Sequence, residues 1–464
     1  MNLTQYHSVY FIGIGGIGMS ALARWFNQNG FAVSGYDRTP TALTNQLITE
    51  GIDIHFVDDL DSIPEKIRTD KEDVLVVITP AIPKSHKGLN FFNTNNYKLH
   101  KRSEVLGMIS ANFYLVAVAG THGKTTTSSM VAHLLKHSGR DITAFLGGIA
   151  TNYSSNFIAS KVEGKTAIAV VEADEFDRSF LTLHPDVAIV TSADADHLDI
   201  YGDKKHLENS FKDFINQIKQ DGKLFINEKI AKDLVTENYK QSVHTYGLSR
   251  GQFFASNITM NNGFFEFNYN DKQHNIEKLE LGVPGFHNVE NATAAIAVAL
   301  ELGLSVEEIR KGIKSYKGVK RRFEYILKAE HIVLVDDYAH HPVEIESFLK
   351  SLKALYPDKK VTAIFQPHLF SRTRDFVDGF AESLSLADEV ILLDIYPARE
   401  EPIEGVTSQL VFDKIETAKV LTSKEELLDK MTVMDFEIVA TIGAGDIDKL
   451  VAPIKKLLTD KYDA

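Results

Sequence analysis

The most specific chemistry in the chain lies in seven consecutive residues, Gly120-Thr121-His122-Gly123-Lys124-Thr125-Thr126. They follow the apolar run Tyr114–Ala119 and open a helical pattern, Thr125–Lys136. A glycine loop between a buried strand and a helix lets backbone N–H groups converge on phosphate oxygens, and the helix N-terminus adds partial positive charge. Lys124 then supplies a point charge for the outer phosphates of ATP, and the Thr125 hydroxyl suits Mg2+. Val118 stands where G-x-x-x-x-G-K-[ST] has its first glycine, so this is a shorter variant of that loop. A chance glycine turn has no reason to place a lysine and hydroxyls at a helix start.

A second loop sits near the N-terminus. Gly13-Ile14-Gly15-Gly16-Ile17-Gly18 separates the strand pattern Val9–Ile12 from the helical pattern Met19–Gln28, and Asp37 ends the next strand. Gly13, Gly15, Gly16 and Gly18 permit a tight turn and close approach of a pyrophosphate, while Asp37 can accept a ribose hydroxyl. Alone this fingerprint suggests NAD and an oxidoreductase, or merely a close strand-to-helix crossing. The loop specifies a diphosphate without saying which. Two such loops, only one of the ATP type, argue for ATP plus a second nucleotide-bearing ligand that can be a substrate.

Carboxylates and histidines cluster at further strand ends, where open α/β sheets bind ligands. Glu172-Ala173-Asp174-Glu175 follows Ala167–Val171, which makes Glu172 a candidate magnesium ligand, with solvated loop charge as the alternative. Asp196-His197-Leu198-Asp199 follows Val187–Thr191; His197 is a metal ligand or a structural histidine. Asn288 and Asn291 lie three apart at a helix start and so share a face, suited to an adenine edge, although Asn288 can equally cap the helix. Arg321-Arg322-Phe323 follows a linker, from which a guanidinium can reach a transferring phosphate; a solvated basic pair is the alternative. Asp336-Asp337-Tyr338-Ala339-His340-His341-Pro342 and Gln366-Pro367-His368-Leu369-Phe370-Ser371-Arg372 each end a strand.

The elements behind these residues alternate β-rich runs with helical patterns, which predicts parallel sheets covered by helices. Asn93–Arg102 reads as a polar separator, Lys317–Lys320 as a linker, and 243–281, with Asn262-Gly263, as a small antiparallel ribbon. For 464 residues this gives three α/β domains, residues 1–103, 104–318 and 319–464. A net charge of -13 repels phosphodiester backbones, so nucleic acid is not an expected partner. The sequence has no cysteine, which excludes disulfides, thiolate metal sites and cysteine nucleophiles. With no apolar run approaching ~20 residues and no basic, apolar leader, a cytoplasmic protein without membrane insertion is expected.

Taken in this order, the motifs resemble the Mur ligase family, ATP-dependent amino-acid ligases of peptidoglycan synthesis, over nearly the whole chain. The resemblance implies an N-terminal Rossmann-like domain for a UDP-sugar, a central P-loop ATPase-type domain, and a C-terminal Rossmann-like domain for the amino acid. Gly13–Ser20, Asp337–Pro342 and Asp394–Glu400 are similar to the branch that joins L-alanine to UDP-N-acetylmuramate through an acyl phosphate. The resemblance assigns Gly120 to Thr126, Asn288, Asn291, Arg322 and Asp337 to ATP, and Thr125, Glu172 and His197 to Mg2+. Lys124, Glu172, His197 and Arg322 become the catalytic set. The glycine fingerprint with Asp37 goes to the UDP-sugar, and Tyr338, His340 and Arg372 go to the amino acid. The commonest family variant carries a basic residue where this chain has Leu369. The alternative within the family is the ligase that recycles a preformed tripeptide.

Overall fold

A computed structural model describes residues 3–160, 167–194, 201, 203–261, 264–398 and 400–464. Three sheets organise the chain, as the alternation predicts, and packing gathers them into two compact units.

The first unit holds two sheets. Strands β1 (Ser8–Ile12), β2 (Ala32–Tyr36), β3 (Asp53–His55), β4 (Val74–Ile78) and β5 (Leu99–Lys101) form a parallel sheet in the order β3-β2-β1-β4-β5. The order reverses between β1 and β4, the topological switch point at which such sheets bind ligands. β1 is buried throughout, which explains its uninterrupted apolar reading. Asn93–Arg102 is not a separator: it contains the edge strand β5 and the start of the helix Arg102–Ser110. A three-residue strand is too short to show a period of two.

The central sheet runs in parallel through β12 (Ser242–Gly247), β11 (Lys223–Asn227), β10 (Val187–Val190), β6 (Tyr114–Ala119), β9 (Ile168–Glu172) and β7 (Ile142–Ala150). The antiparallel β8 (Ser155–Ile158) closes it beside β7. The expected ribbon needs correction, because β12 pairs in parallel with β11 and with the start of β13 (Phe253–Asn261). β14 (Phe264–Asn270) and β15 (Asn275–Leu281) follow, and the predicted Asn262-Gly263 turn lies outside the described residues.

The helix Lys124–His137 follows β6 and buries a polar face as well as an apolar one. Ser129 and His133 find partners inside: Ser129 Oγ lies 2.6 Å from the Tyr316 hydroxyl, and His133 bonds the Tyr153 hydroxyl and Ser315 Oγ at 3.0 Å each. Burial, reinforced by nearby His137, pushes His133 down to about 4, so this core network holds a neutral imidazole near neutral pH.

One hydrophobic core joins the two sheets of this unit, mixing Phe11, Leu22 and Phe26 with Phe145 and Phe157. The helix Ile17–Gln28 packs on β7 and β8. Within that contact Arg24, 3% exposed, pairs bidentately with Glu50 at 2.8 and 2.9 Å and also donates to Asn156 Oδ1. Asn156 in turn donates to Ser20 Oγ at 2.9 Å and Ile17 O at 2.5 Å.

The second unit is built on a sheet ordered β16-β17-β21-β18-β19-β20. Its strands are β16 (Glu324–Lys328), β17 (Val333–Asp337), β18 (Val361–Phe365), β19 (Glu389–Leu392), β20 (Ala418–Leu421) and β21 (Ile438–Ile442). All pairings are parallel except that of β16 with β17. The helix Pro342–Leu355 starts cleanly because His341 caps it through Nδ1 and Pro342 occupies its first turn.

Arg24→Ala would leave the buried Asn156 Oδ1 without this donor and release the partly exposed Glu50 to water. We expect a loss of about 2 kcal/mol, read as a lower urea midpoint. Lys311→Ala, at an exposed helical pair with Glu307, should leave that midpoint in place.

Candidate active site

β6 delivers the Gly120–Thr126 loop to the carboxyl edge of the central sheet, between the ends of β9 and β10. Gly120 has φ +137°, and a Cβ there would collide with Thr191 Oγ1, so only glycine lets the loop lie against the end of β10. Ser192 braces it: Thr121 N donates to Ser192 O at 3.2 Å, and His122 N donates to Ser192 Oγ at 2.7 Å. Thr191 Oγ1 donates to His122 O, and Thr121 Oγ1 accepts from Asp194 N at 3.0 Å. Gly123, at φ +80°, precedes the helix and packs close to Asn291, whose Oδ1 would lie 2.8 Å from an added Cβ.

Lys124 Nζ donates to Gly120 O at 2.6 Å, Thr121 O at 3.3 Å and Glu175 Oε1 at 2.9 Å. Burial pulls this ammonium down, yet the Glu175, Glu172 and Asp174 carboxylates outweigh it and hold its pKa above the ordinary lysine value. Thr125 Oγ1 donates to Glu172 Oε1 at 3.1 Å, while Glu172 Oε2 accepts from Gly147 N at 3.1 Å. The loop, Glu172 and Asn291 therefore form one cluster. His197 lies outside the described residues.

In the same unit, the N-terminal glycine loop turns at Gly13, φ +91°, and Asp37 Oδ2 accepts from Gly15 N at 2.7 Å. Asp37 thus braces the loop from the end of β2. Gly18 admits the guanidinium of Arg102, which a Cβ would displace. Arg102 Nη2 donates to Asp174 Oδ2 at 2.9 Å, so the residue next to Glu175 is tied to the glycine loop. Arg102 and Glu175 escaped assignment from sequence: Arg102 stood in a stretch read as a separator, and Glu175 was one of several acids in a row.

In the second unit Arg322, Asp337, Tyr338, His340 and Arg372 gather at the ends of β17 and β18. Arg322 lies over the Tyr338 ring at 5.0 Å and 3.7 Å from Glu344, while Arg321 binds Asp336 at 3.1 Å and Gly443 O at 2.6 Å. Asp337 accepts from Phe323 N at 2.7 Å and Ala339 N at 2.8 Å. Burial nevertheless pushes its carboxyl up to about 7, against the pull of Arg322 and of those two N–H groups. His287, beside Ser347 at 3.1 Å, is lowered to about 4 by burial first and then by Arg322. Asn288 is not a cap, since its helix begins at Phe286; its Nδ2 donates to Pro284 O at 2.6 Å.

His340 Nδ1 sits 3.0 Å from Tyr338 O and 3.3 Å from Glu344, and its ring meets His368 edge-on at 6.1 Å. His368 stacks on Tyr396 at 5.8 Å, and Arg372 Nη1 lies 3.4 Å from His368 Nδ1. Between them Leu369 takes φ +71° and donates its N–H to Tyr396 O at 2.9 Å, a strained backbone of the kind functional sites retain. Glu344, His368 and Tyr396 thus join the residues assigned to the amino acid. Their signal was only proximity in sequence to His340, Leu369 and Pro397.

Comparison with known proteins identifies the family. The Mur ligase family catalytic domain matches residues 8–114, the Mur ligase middle domain 118–299, and the Mur ligase glutamate ligase domain 321–445. The UDP-N-acetylmuramate–L-alanine ligase of Flavobacterium psychrophilum is 51% identical over 99% of this chain and 100% of its own length. That of Porphyromonas gingivalis is 51% identical over 97% and 98%. Among solved structures, the Thermotoga maritima UDP-N-acetylmuramate-alanine ligase superposes with a TM-score of 0.80 at 27% identity, covering 98% of this chain and 100% of that one. The murein peptide ligase of Psychrobacter arcticus shares the fold, with a TM-score of 0.70 at 22% identity over 99% of both chains. The chain belongs to the Mur ligase family.

Proposed function

We propose that this chain catalyses ATP-dependent ligation of L-alanine to the lactyl carboxylate of UDP-N-acetylmuramate, releasing ADP and phosphate. The observation that carries the reading is the pair of phosphate loops in a chain 51% identical, end to end, to a ligase of that name. A carboxylate resists nucleophiles until one of its oxygens becomes a leaving group. Attack of the lactyl carboxylate on the γ-phosphorus of ATP expels ADP and leaves an acyl phosphate. The alanine amine then adds to the acyl carbon, and the tetrahedral intermediate loses phosphate to form the amide. Positioning and charge neutralisation do most of this work.

The assignments follow. Lys124 and the loop N–H groups hold the outer phosphates, with Asn288 and Asn291 addressing adenine. The glycine loop with Asp37 takes the UDP-sugar diphosphate and ribose, and Tyr338, His340 and Arg372 take alanine, Arg372 facing its carboxylate bidentately. Arg322 and Asp337 are assigned to the nucleotide. The donor set at Thr125 and Glu172 fits magnesium: two hard oxygens 3.1 Å apart, close to the ~3 Å edge of an octahedron with ~2.1 Å bonds. Bound there, Mg2+ would neutralise charge on the phosphates; His197 is assigned to a second ion. No helix among the described residues is long and apolar enough to cross a membrane. We place the reaction in the cytoplasm, where ATP is supplied.

Phosphate release with ATP, magnesium and UDP-N-acetylmuramate should require L-alanine, with L-serine and glycine as weaker substrates. Turnover with murein tripeptide but not alanine would replace this reading by the recycling one. Lys124→Ala should lower kcat/KM by about a thousandfold or more, as expected for a phosphate-clamping cation, while UDP-sugar affinity measured by calorimetry stays put. Equal loss of both would reject the separation of the two loops.

Asp337 adds a pH dependence. Its folded pKa of about 7 exceeds the usual 3.8, so its contribution to stability is complete below about pH 4 and is lost as pH rises through about 7. Asp337→Ala should flatten the decline of the urea midpoint over that window; parallel profiles for variant and wild type would show that the group does not titrate there.

A further inference from the structure

Lys124 has three N–H donors, and all three are engaged. Two go to carbonyls of its own loop, Gly120 and Thr121, and the third goes to Glu175. The carbonyls are fixed by the loop's turn. A phosphate that recruits this ammonium must therefore compete with the one partner that is a side chain, Glu175, whose Oε1 and Oε2 each lie 2.9 Å from Nζ.

Glu175 is held in place from several directions. It has no solvent exposure, and its carbonyl accepts from the Tyr201 hydroxyl at 2.5 Å. Beyond Phe176, Asp177 and Arg178 take left-handed backbone angles, φ +52° and +54°, which non-glycine residues adopt only where surroundings enforce them. Before it, Asp174 is anchored by Arg102 at 2.9 Å. The carboxylate is thus presented to Lys124 by a constrained turn rather than by a mobile side chain on a free loop.

We infer that Glu175 is a positioning residue that competes with the outer phosphates of the nucleotide for Lys124, and so sets nucleotide affinity. The inference rests on reading Gly120–Thr126 as the nucleotide phosphate site. The pair keeps the ammonium aimed along the loop, and displacing its carboxylate partner is a cost that every triphosphate meets on binding. A competing partner lowers apparent affinity by the fraction of molecules in which the cation is released. AMP, lacking outer phosphates, escapes that cost.

The test is calorimetric titration of the full chain with AMP-PNP and magnesium, and separately with AMP. Glu175→Gln should tighten AMP-PNP about fivefold and leave AMP unchanged, while Glu175→Asp, which keeps the charge, should stay nearer wild type. In a Lys124→Ala background the Glu175→Gln effect should vanish, which a merely structural role of Glu175 would not produce. No tightening, equal tightening of AMP, or persistence without Lys124 would each overturn the inference while leaving the nucleotide site standing. Failure of the wild type to bind AMP-PNP would overturn both. Should Glu175→Gln not fold, a crystal structure of the wild type with AMP-PNP decides. Separation of Nζ from the Glu175 carboxylate beyond about 4 Å supports the inference, and retention near 2.9 Å overturns it.

Discussion

A buried ammonium needs carboxylates around it, and the Lys124 cation dictates much of how the first unit is assembled. β6 carries the loop that bears it, so the strands on either side must end in the groups that serve it. β9 ends in Glu172 and the chain runs on to Glu175; β10 is followed by Thr191 and Ser192, which grip the loop backbone. Exchanging the neighbours of β6 would leave a desolvated charge facing apolar strand ends, a cost that side-chain rearrangement does not recover. The strand order and the chemistry of the loop are in that sense one constraint.

The same acidic turn extends that constraint to the N-terminal sheet. Asp174 holds Arg102, and Arg102 occupies the space that Gly18 leaves open. Two neighbouring carboxylates therefore hold Lys124 of one glycine loop and Arg102, which packs on the other. A chain that must bring the carboxylate of one nucleotide-linked substrate to the γ-phosphate of another gains from this arrangement, because the geometry of either loop bears on the other through a single rigid turn. The second unit supplies a contrasting environment, rich in arginine, histidine and aromatic rings at the ends of β17 and β18.

Much of this was legible in the residues themselves. Long buried strands such as Tyr114–Ala119 and Val361–Phe365 declare themselves by continuous β-branched and apolar composition, and the loops that follow them by glycine spacing. Glu172 was readable because it ends such a strand. The misses have physical causes. β5 is three residues long, and β12 reads like a ribbon strand because its first four residues are incompletely buried, although it lies inside the sheet between β11 and β13. Arg102 and Glu175 could not be picked out because their importance comes from partners about 50 to 70 residues away, a relation that no local spacing encodes.

The contact centred on Arg24 and Asn156 bears on how the protein can be divided. Matches to known families parse the chain into three successive modules, with the first boundary near residue 114. Packing draws a different line: the helix Ile17–Gln28 contributes one face to its own sheet and the other to β7 and β8, sharing a core with Phe145 and Phe157. The N-terminal module is thus a unit of descent without being a unit of folding. Cut out at its family boundary, it would carry into water the apolar helical face that β7 and β8 cover, the profile of a fragment that aggregates instead of refolding.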